Sequence, residues 1–309
     1  MKRPNLRIFL VLCVLASAAL LGACTSDPSV KPAANTNTQT NRTVADDLGR
    51  PVTVPAKIMR IVSLAPNLTE MIFAVGAGDR LVGVTTFCNF PEQANSIAKI
   101  GDTMTPNMES IVALRPDVVF VSTASQIETF TKTLSDNGIA VYVTNPITIE
   151  DVLKNLKQLG ELFRTEPVAD ALVSDLKQRI NRVSDRVGLD ERTRVFVQIS
   201  REPLFTIGKE SFLNAVLVKA GGVSVTADVE TAFPKLSKET ALALRPDVII
   251  LSESDDNLEP NEVFRNSPAV KNGRVYMVNA DILSRPGPRL VDAIEQIAAE
   301  LHPETLRNK

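Results

Sequence analysis

The run ALRPDVVFVS, Ala113 to Ser122, returns 130 positions later as ALRPDVIILS, Ala243 to Ser252. The match extends upstream, where Glu109-Ser110 faces Glu239-Thr240 at the same offset. Self-similarity of this length is the mark of a repeated structural unit, so the chain is expected to be built from two related halves. Each copy places a good helix N-cap, Asn107 or Ser237, two positions before its glutamate. Pro116 and Pro246 then end the short helix ahead of an apolar strand. Both glutamates fall in a first helical turn, where the dipole favours a carboxylate and the side chain points outward. They read either as helix starters or as one acidic contact point on each half.

Around the two copies, short β-rich runs alternate with amphipathic stretches. RIVSLA, RLVGVTT, DVVFVS and AVYVTN form one series, and RVFVQIS, DVIILS and RVYMVN form a second. Helical patterns lie between them, as at Thr69 to Val75, Ile127 to Leu134, Glu210 to Ala220, Ser237 to Leu244 and Arg289 to Leu301. Strand and helix in alternation imply parallel sheets covered on both faces. Between the series, Ala169, Leu172, Val173, Leu176, Ile180 and Val183 recur at spacings of three and four, so one long amphipathic helix is predicted over 166–188, closed by Gly188. At 1.5 Å per residue it spans about 33 Å, the width of a small domain. The predicted organisation is an α/β lobe over 50–165, the bridging helix over 166–188 and a second α/β lobe over 189–309.

The amino terminus reads as an address. Lys2, Arg3 and Arg7 precede the apolar run IFLVLCVLASAALL, and LGAC sets small residues just before Cys24. Residues 1–23 are therefore predicted to be a lipoprotein signal peptide, with Cys24 the lipidated first residue of the mature chain. Residues 24–49, rich in Thr, Asn, Pro and Ser, are predicted to form a flexible tether with a reach of roughly 25 Å. Cys13 leaves with the signal, so Cys88 remains as a lone free thiol and no disulfide framework is available. Cys88 itself reads as a small apolar residue in a loop.

Removing the signal leaves 31 basic against 36 acidic residues. A mildly acidic body argues against nucleic acid and against a reader of lipid surfaces. One histidine, His302, is too few for the histidine cluster of a bare-metal receptor, and no metal is expected. There is no G-x-S-x-G nucleophile elbow, GKES at Gly208 lacks the upstream glycine of a P-loop, and GAG at Gly76 follows a helix. No catalytic residues and no cofactor are expected.

RIVSLAPNLTEMIFAVGAGDRLVGVTTFCNFP, NMESIVALRPDVVFVS, VFVQISREPLFTIGKESFLNAVLVKAGG and SRPGPRLVDAIEQIAAELHP resemble the periplasmic binding proteins that deliver cobalamin and ferric siderophores to ABC importers. The likeness is nearest to the cobalamin-binding members and runs over nearly all of the mature body. It implies two Rossmann-like α/β lobes with parallel sheets, bridged by one long α-helix, with a ligand cleft between them. It implies a non-enzymatic, monomeric lipoprotein outside the cytoplasm, partnered by a permease dimer with its ATPase subunits. By position in the motifs, the glutamates that dock onto permease arginines correspond to Glu109 and Glu239.

Carried over residue by residue, the ligand contacts fall on Phe87, Phe205, Phe233, Asp281 and Arg285. Flat aromatic faces suit a corrin or a base, and Asp and Arg suit amide and phosphate groups. Two positions that are aromatic in the enterobacterial cobalamin binder fall here on Thr103 and Ser122, and the chain has no tryptophan. Arg201, Arg285 and Arg289 could instead collect an anionic chelate such as a ferric siderophore, although Arg289 has the alternative of bracing the final helix. Cobalamin is the first expectation and a ferric siderophore the second.

Overall fold

The computed structural model describes residues 41–122, 127–187 and 192–307. The signal peptide, Cys24, most of the tether and Gly188 lie outside the described residues. The folded body begins earlier than position 50. An antiparallel hairpin, β1 (Asn41–Ala45) and β2 (Pro51–Pro55), occupies the end of the predicted tether. In β2 the alternation buries Val52 and Val54. At the turn, the Asp46 carboxylate accepts from the backbone N–H groups of Leu48 and Arg50 at 3.0 and 2.9 Å and pairs with the Arg50 guanidinium at 2.7 Å. These are tertiary and turn-level gains, which composition alone does not report.

The first lobe runs β3 (Ile61–Ser63), α1 (Pro66–Ala74), β4 (Leu81–Val84), α2 (Met108–Ala113), β5 (Val118–Ser122), α3 (Ile127–Asp136), β6 (Ala140–Thr144) and α4 (Ile149–Phe163). Then α5 (Glu166–Val187) leads to the second lobe. That lobe runs β7 (Thr193–Gln198), α6 (Leu213–Lys219), β8 (Gly222–Ser224), α7 (Lys238–Leu244), β9 (Val248–Glu253), α8 (Pro268–Lys271), β10 (Val275–Asn279), α9 (Ala280–Ser284), α10 (Leu290–Leu301) and α11 (Pro303–Arg307). The sheets are parallel, ordered β4-β3-β5-β6 and β8-β7-β9-β10. In each, the lobe's second strand sits at an edge beside its first, followed by its third and fourth. The sequence repeat therefore marks the third strand of each sheet and the helix before it.

Side chains alternate across a strand, so each sheet must be covered twice. Ile61, Val118 and Phe120 of the first sheet and Val195, Val248 and Ile250 of the second join one extended core with the buried face of α5, formed by Ala169, Val173, Leu176, Ile180 and Val183. The alternate residues Val62, Val119 and Val121, and Phe196, Ile249 and Leu251, form a separate outer core on each lobe. The helix α5 packs on α4 of the first lobe and on α10 of the second. Against α4 the approach is close: a Cβ at Gly160 would lie 2.4 Å from that of Ala169, so only glycine fits. Against α10, Arg179 pairs with Asp292 at 2.6 Å and Glu295 at 2.5 Å. The Glu295 hydrogen bond raises the Arg179 pKa, holding the guanidinium charged. Among the described residues, no helix is long and apolar enough to cross a membrane.

Candidate functional site

In a parallel sheet every strand delivers its following loop to the same end, which is where ligands of open α/β sheets bind. The carboxyl ends of the two sheets face each other. Asn67, just after β3, donates from Nδ2 to the carbonyl of Pro286 at 3.4 Å, beyond β10 and α9. Asn89, after β4, donates to Asp281 Oδ2 at 3.0 Å. The space between the strand ends is the interlobe cleft.

All eight ligand-contact candidates lie on loops or strand ends at the carboxyl side of the two sheets. Phe87 follows β4, and Thr103 lies in the turn before α2. Ser122 ends β5, and Arg201 and Phe205 follow β7. Phe233 precedes α7, Asp281 opens α9 and Arg285 ends it. Phe87 and Phe233 are 59 and 47 % exposed, which leaves their ring faces available. Phe205, Thr103 and Ser122 are half-buried. Phe205 is placed by backbone pairing on two sides, with Ser200 and with Lys235.

Asp281 and Arg285 have partners of their own. The Glu70 carboxylate, on α1, is 1 % exposed and sits between two guanidinium groups from the opposite lobe. Arg285 Nη1 donates to Glu70 Oε1 at 2.9 Å and to Asn89 Oδ1 at 2.8 Å. Arg285 Nη2 donates to Asp281 Oδ1 at 2.6 Å and to the carbonyl of Phe87 at 3.3 Å. Arg289 forks onto both Glu70 oxygens, at 2.8 Å from Nε and 2.7 Å from Nη2, and its guanidinium lies 4.0 Å over the Phe90 ring. The Glu70 hydrogen bonds raise the Arg289 pKa. Two carboxylates against two guanidinium groups leave the cluster neutral. It joins the lobes through charge-assisted bonds centred on the buried Glu70 carboxylate. Arg289 thus reaches across to the first lobe rather than bracing the final helix, since its side chain makes no cap bond there.

Sequence reasoning missed Glu70 and Asn89. The signal at Glu70 was present: a carboxylate stands in a helix whose Leu68, Met71 and Ile72 are buried, and a charge on a buried stretch requires a cation. Which cation answers it depends on residues some 215 positions away.

The two acidic positions open the short helices ahead of the third strands. Asn107 Oδ1 accepts from the backbone N–H of Ser110 at 2.9 Å, and Ser237 Oγ accepts from that of Thr240 at 3.1 Å, so α2 and α7 are capped alike. Glu109 and Glu239 are both exposed in the first turn. The backbone N–H of Glu239 and the Ser237 hydroxyl hold the Glu239 carboxyl below the usual carboxylate range. Cys88 is buried and hydrogen-bonds with Thr69 and Thr85, both at 3.1 Å, in keeping with a packing role. Among the described residues, no group of three or more His, Cys, Asp or Glu side chains is placed to hold a metal ion.

This chain is 31% identical over 305 residues to an uncharacterized ABC transporter substrate-binding lipoprotein, YvrC, of Bacillus subtilis, covering 95% of this chain and 96% of that one. Its structure is similar to the periplasmic vitamin B12 binding protein BtuF of Vibrio cholerae, with a TM-score of 0.71 and 30% identity over 80% of this chain and 97% of the other. It is also similar to a possible iron-binding periplasmic solute-binding protein of Staphylococcus epidermidis, with a TM-score of 0.69 and 28% identity over 80% and 99%. The profile of the periplasmic binding protein family matches residues 61–282. With two parallel-sheet lobes, a connecting helix and a cleft at the strand ends, the chain belongs to the periplasmic binding protein family.

Proposed function

We propose that this protein is the extracytoplasmic substrate-binding lipoprotein of an ABC importer, tethered through Cys24, and that its cleft captures a corrinoid and delivers it to a dimeric permease. The likeness to a B12-binding protein and to an ABC transporter lipoprotein supports the class. The observation that carries the choice of ligand is the pairing of the arginines. An anionic ferric chelate calls for free guanidinium groups. Arg285 and Arg289 are held by Glu70, and Arg201 lies 3.3 Å from Glu259. A large, nearly neutral ligand with flat apolar faces suits what remains, the exposed rings of Phe87 and Phe233 and the half-buried ring of Phe205. Thr103 and Ser122 provide small polar walls, and the Asp281–Arg285 pair a charge-balanced floor.

Isothermal titration of the mature lipoprotein with cyanocobalamin tests the reading. Tight one-to-one binding is expected, with no heat from a ferric catecholate. The reverse result assigns the cleft to a ferric siderophore. The ultraviolet-visible spectrum of protein purified from its native host separates the same two ligands, because a corrin and a ferric catecholate absorb differently.

A further inference from the structure

Three exposed aliphatic side chains stand at the carboxyl ends of the sheets, where the sequence motifs assign no function. Met104, Ile147 and Leu258 are 51, 56 and 55 % exposed. A single exposed aliphatic residue is ordinary. Here, however, a polar anchor fixes the backbone beside each one.

Lys99 pairs in parallel with Val84, extending the first sheet beyond β4, so the turn that follows lies at the cleft end. In that turn Asp102 Oδ1 accepts from the backbone N–H groups of Met104 at 2.7 Å and Thr105 at 2.6 Å, and Asp102 Oδ2 accepts from the Thr105 hydroxyl at 2.8 Å. Gly101, at φ 96°, closes the turn where a Cβ would lie 2.9 Å from the Thr105 carbonyl oxygen. Beyond β6, Ile147 donates its N–H to Asp151 Oδ2 at 3.2 Å, beside the reciprocal cap between Thr148 and Asp151. Beyond β9, Leu258 follows Asn257, which is fully buried. Asn257 Nδ2 donates to the carbonyls of Ser252 at 2.8 Å and Gln198 at 2.9 Å, and its Oδ1 accepts from Gln198 Nε2 at 2.7 Å. Apolar groups on anchored backbone lose little conformational freedom when a ligand covers them, which is the condition for a preorganised contact.

We propose that Met104, Ile147 and Leu258 form an apolar rim of the cleft and contact the flat face and alkyl periphery of a macrocyclic ligand. The inference rests on the corrinoid reading above. Met104, next to Thr103, restores apolar surface where an aromatic ring is missing, and its flexible thioether adapts to an irregular face.

Peroxide footprinting of the mature lipoprotein provides the test, because the chain carries its own control. Met59 is as exposed as Met104, at 48 against 51 %, but precedes β3 at the far end of the sheet. With cyanocobalamin at saturation, verified by calorimetry on the same sample, oxidation of Met104 is expected to slow several-fold while that of Met59 is unchanged. Ile147→Ser and Leu258→Ser are each expected to weaken binding roughly three- to ten-fold at unchanged melting temperature, from the apolar area lost. If calorimetry shows binding but Met104 oxidises at its ligand-free rate and both serine variants bind as the parent does, the rim is overturned and the corrinoid reading stands. If cyanocobalamin gives no heat, the corrinoid reading falls and the rim falls with it.

Discussion

The two lobes share a strand order, yet they differ most in the loop that follows their first strand. From the end of β3 to the start of α1 the chain takes only Leu64 and Ala65, and it then sets Glu70 on α1 against the opposite lobe. From the end of β7 to the start of α6 it takes residues 199–212, a hairpin that carries Arg201 and Phe205. The repeated segments behave in the opposite way. Arg60 Nη2 donates to the carbonyl of Leu114 at 2.6 Å, and Arg194 Nη2 to that of Leu244 at 2.9 Å. Asp117 N–H donates to the Arg60 carbonyl and Asp247 N–H to the Arg194 carbonyl, at 2.8 and 2.9 Å. Arg115 and Arg245 adopt φ of 47° and 45° ahead of their prolines, which disfavour the right-handed helix for the residue before them. Geometry is duplicated where the repeated segment enters the third strand of each sheet, and it diverges in the loops at the carboxyl ends, where the lobes meet.

The largest effect is expected at the two repeated glutamates. If both glutamates dock onto permease arginines, as the resemblance implies, Glu109→Lys with Glu239→Lys should abolish uptake in cells while ligand affinity and melting temperature stay nearly unchanged, because a charge-assisted bond becomes a repulsion. Each single variant should be impaired to a similar degree. Normal transport by the double variant would reduce both glutamates to helix starters, and loss of ligand binding would move them into the pocket.

Next in size, Glu70→Ala strips Arg289 of its carboxylate and leaves Arg285 with Asp281 alone. Denaturant unfolding should register a loss of about 3–5 kcal/mol, the usual cost of breaking a buried pair from one side. A loss below about 1 kcal/mol, the range of exposed pairs, would mean that water enters the cluster freely. Truncating the hairpin's aromatic residue, Phe205→Ala, tests the other first-strand loop. Cyanocobalamin affinity should fall several-fold or more, since a stacked ring contributes about 0.5–1.5 kcal/mol beyond its area.

The smallest effects test the repeat itself. Asn107→Ala and Ser237→Ala remove matching caps, and each should cost about 1 kcal/mol in thermal unfolding. Unequal costs would show that the two copies have diverged in packing. The Glu239 carboxyl has a depressed folded-state pKa, so its stabilising contribution is present above the unfolded value and is lost as pH falls through the folded one. Ser237→Ala should move the Glu239 titration, followed by NMR, back toward the ordinary carboxylate value.

Much of this organisation is legible in the amino-acid order. Periodicity reports the strands of both series and the long helix, because a parallel strand must be apolar throughout and an amphipathic helix must repeat at three and four. The repeated phrase reports the matched caps, glutamates and prolines, all of which are local chemistry between near neighbours. Composition misreads 41–49, where Val44 lies half-buried and the gain comes from pairing with β2. The three-residue β8 is too short for any period to show. Phe87, Phe205 and Phe233 can be named as residues, but whether a ring faces a cleft depends on which loop ends where.

Two α/β lobes, their bridge and a matched acidic turn on each follow from the order of residues, because those features rest on hydrogen bonds and burial within one element or between adjacent ones. Only the tertiary structure decided that Glu70 grips Arg285 and Arg289, and that these arginines are therefore partnered rather than open to an anion. A buried charge selects its partner by distance in space, and residues about 215 positions apart become neighbours only once both sheets have turned their carboxyl ends together.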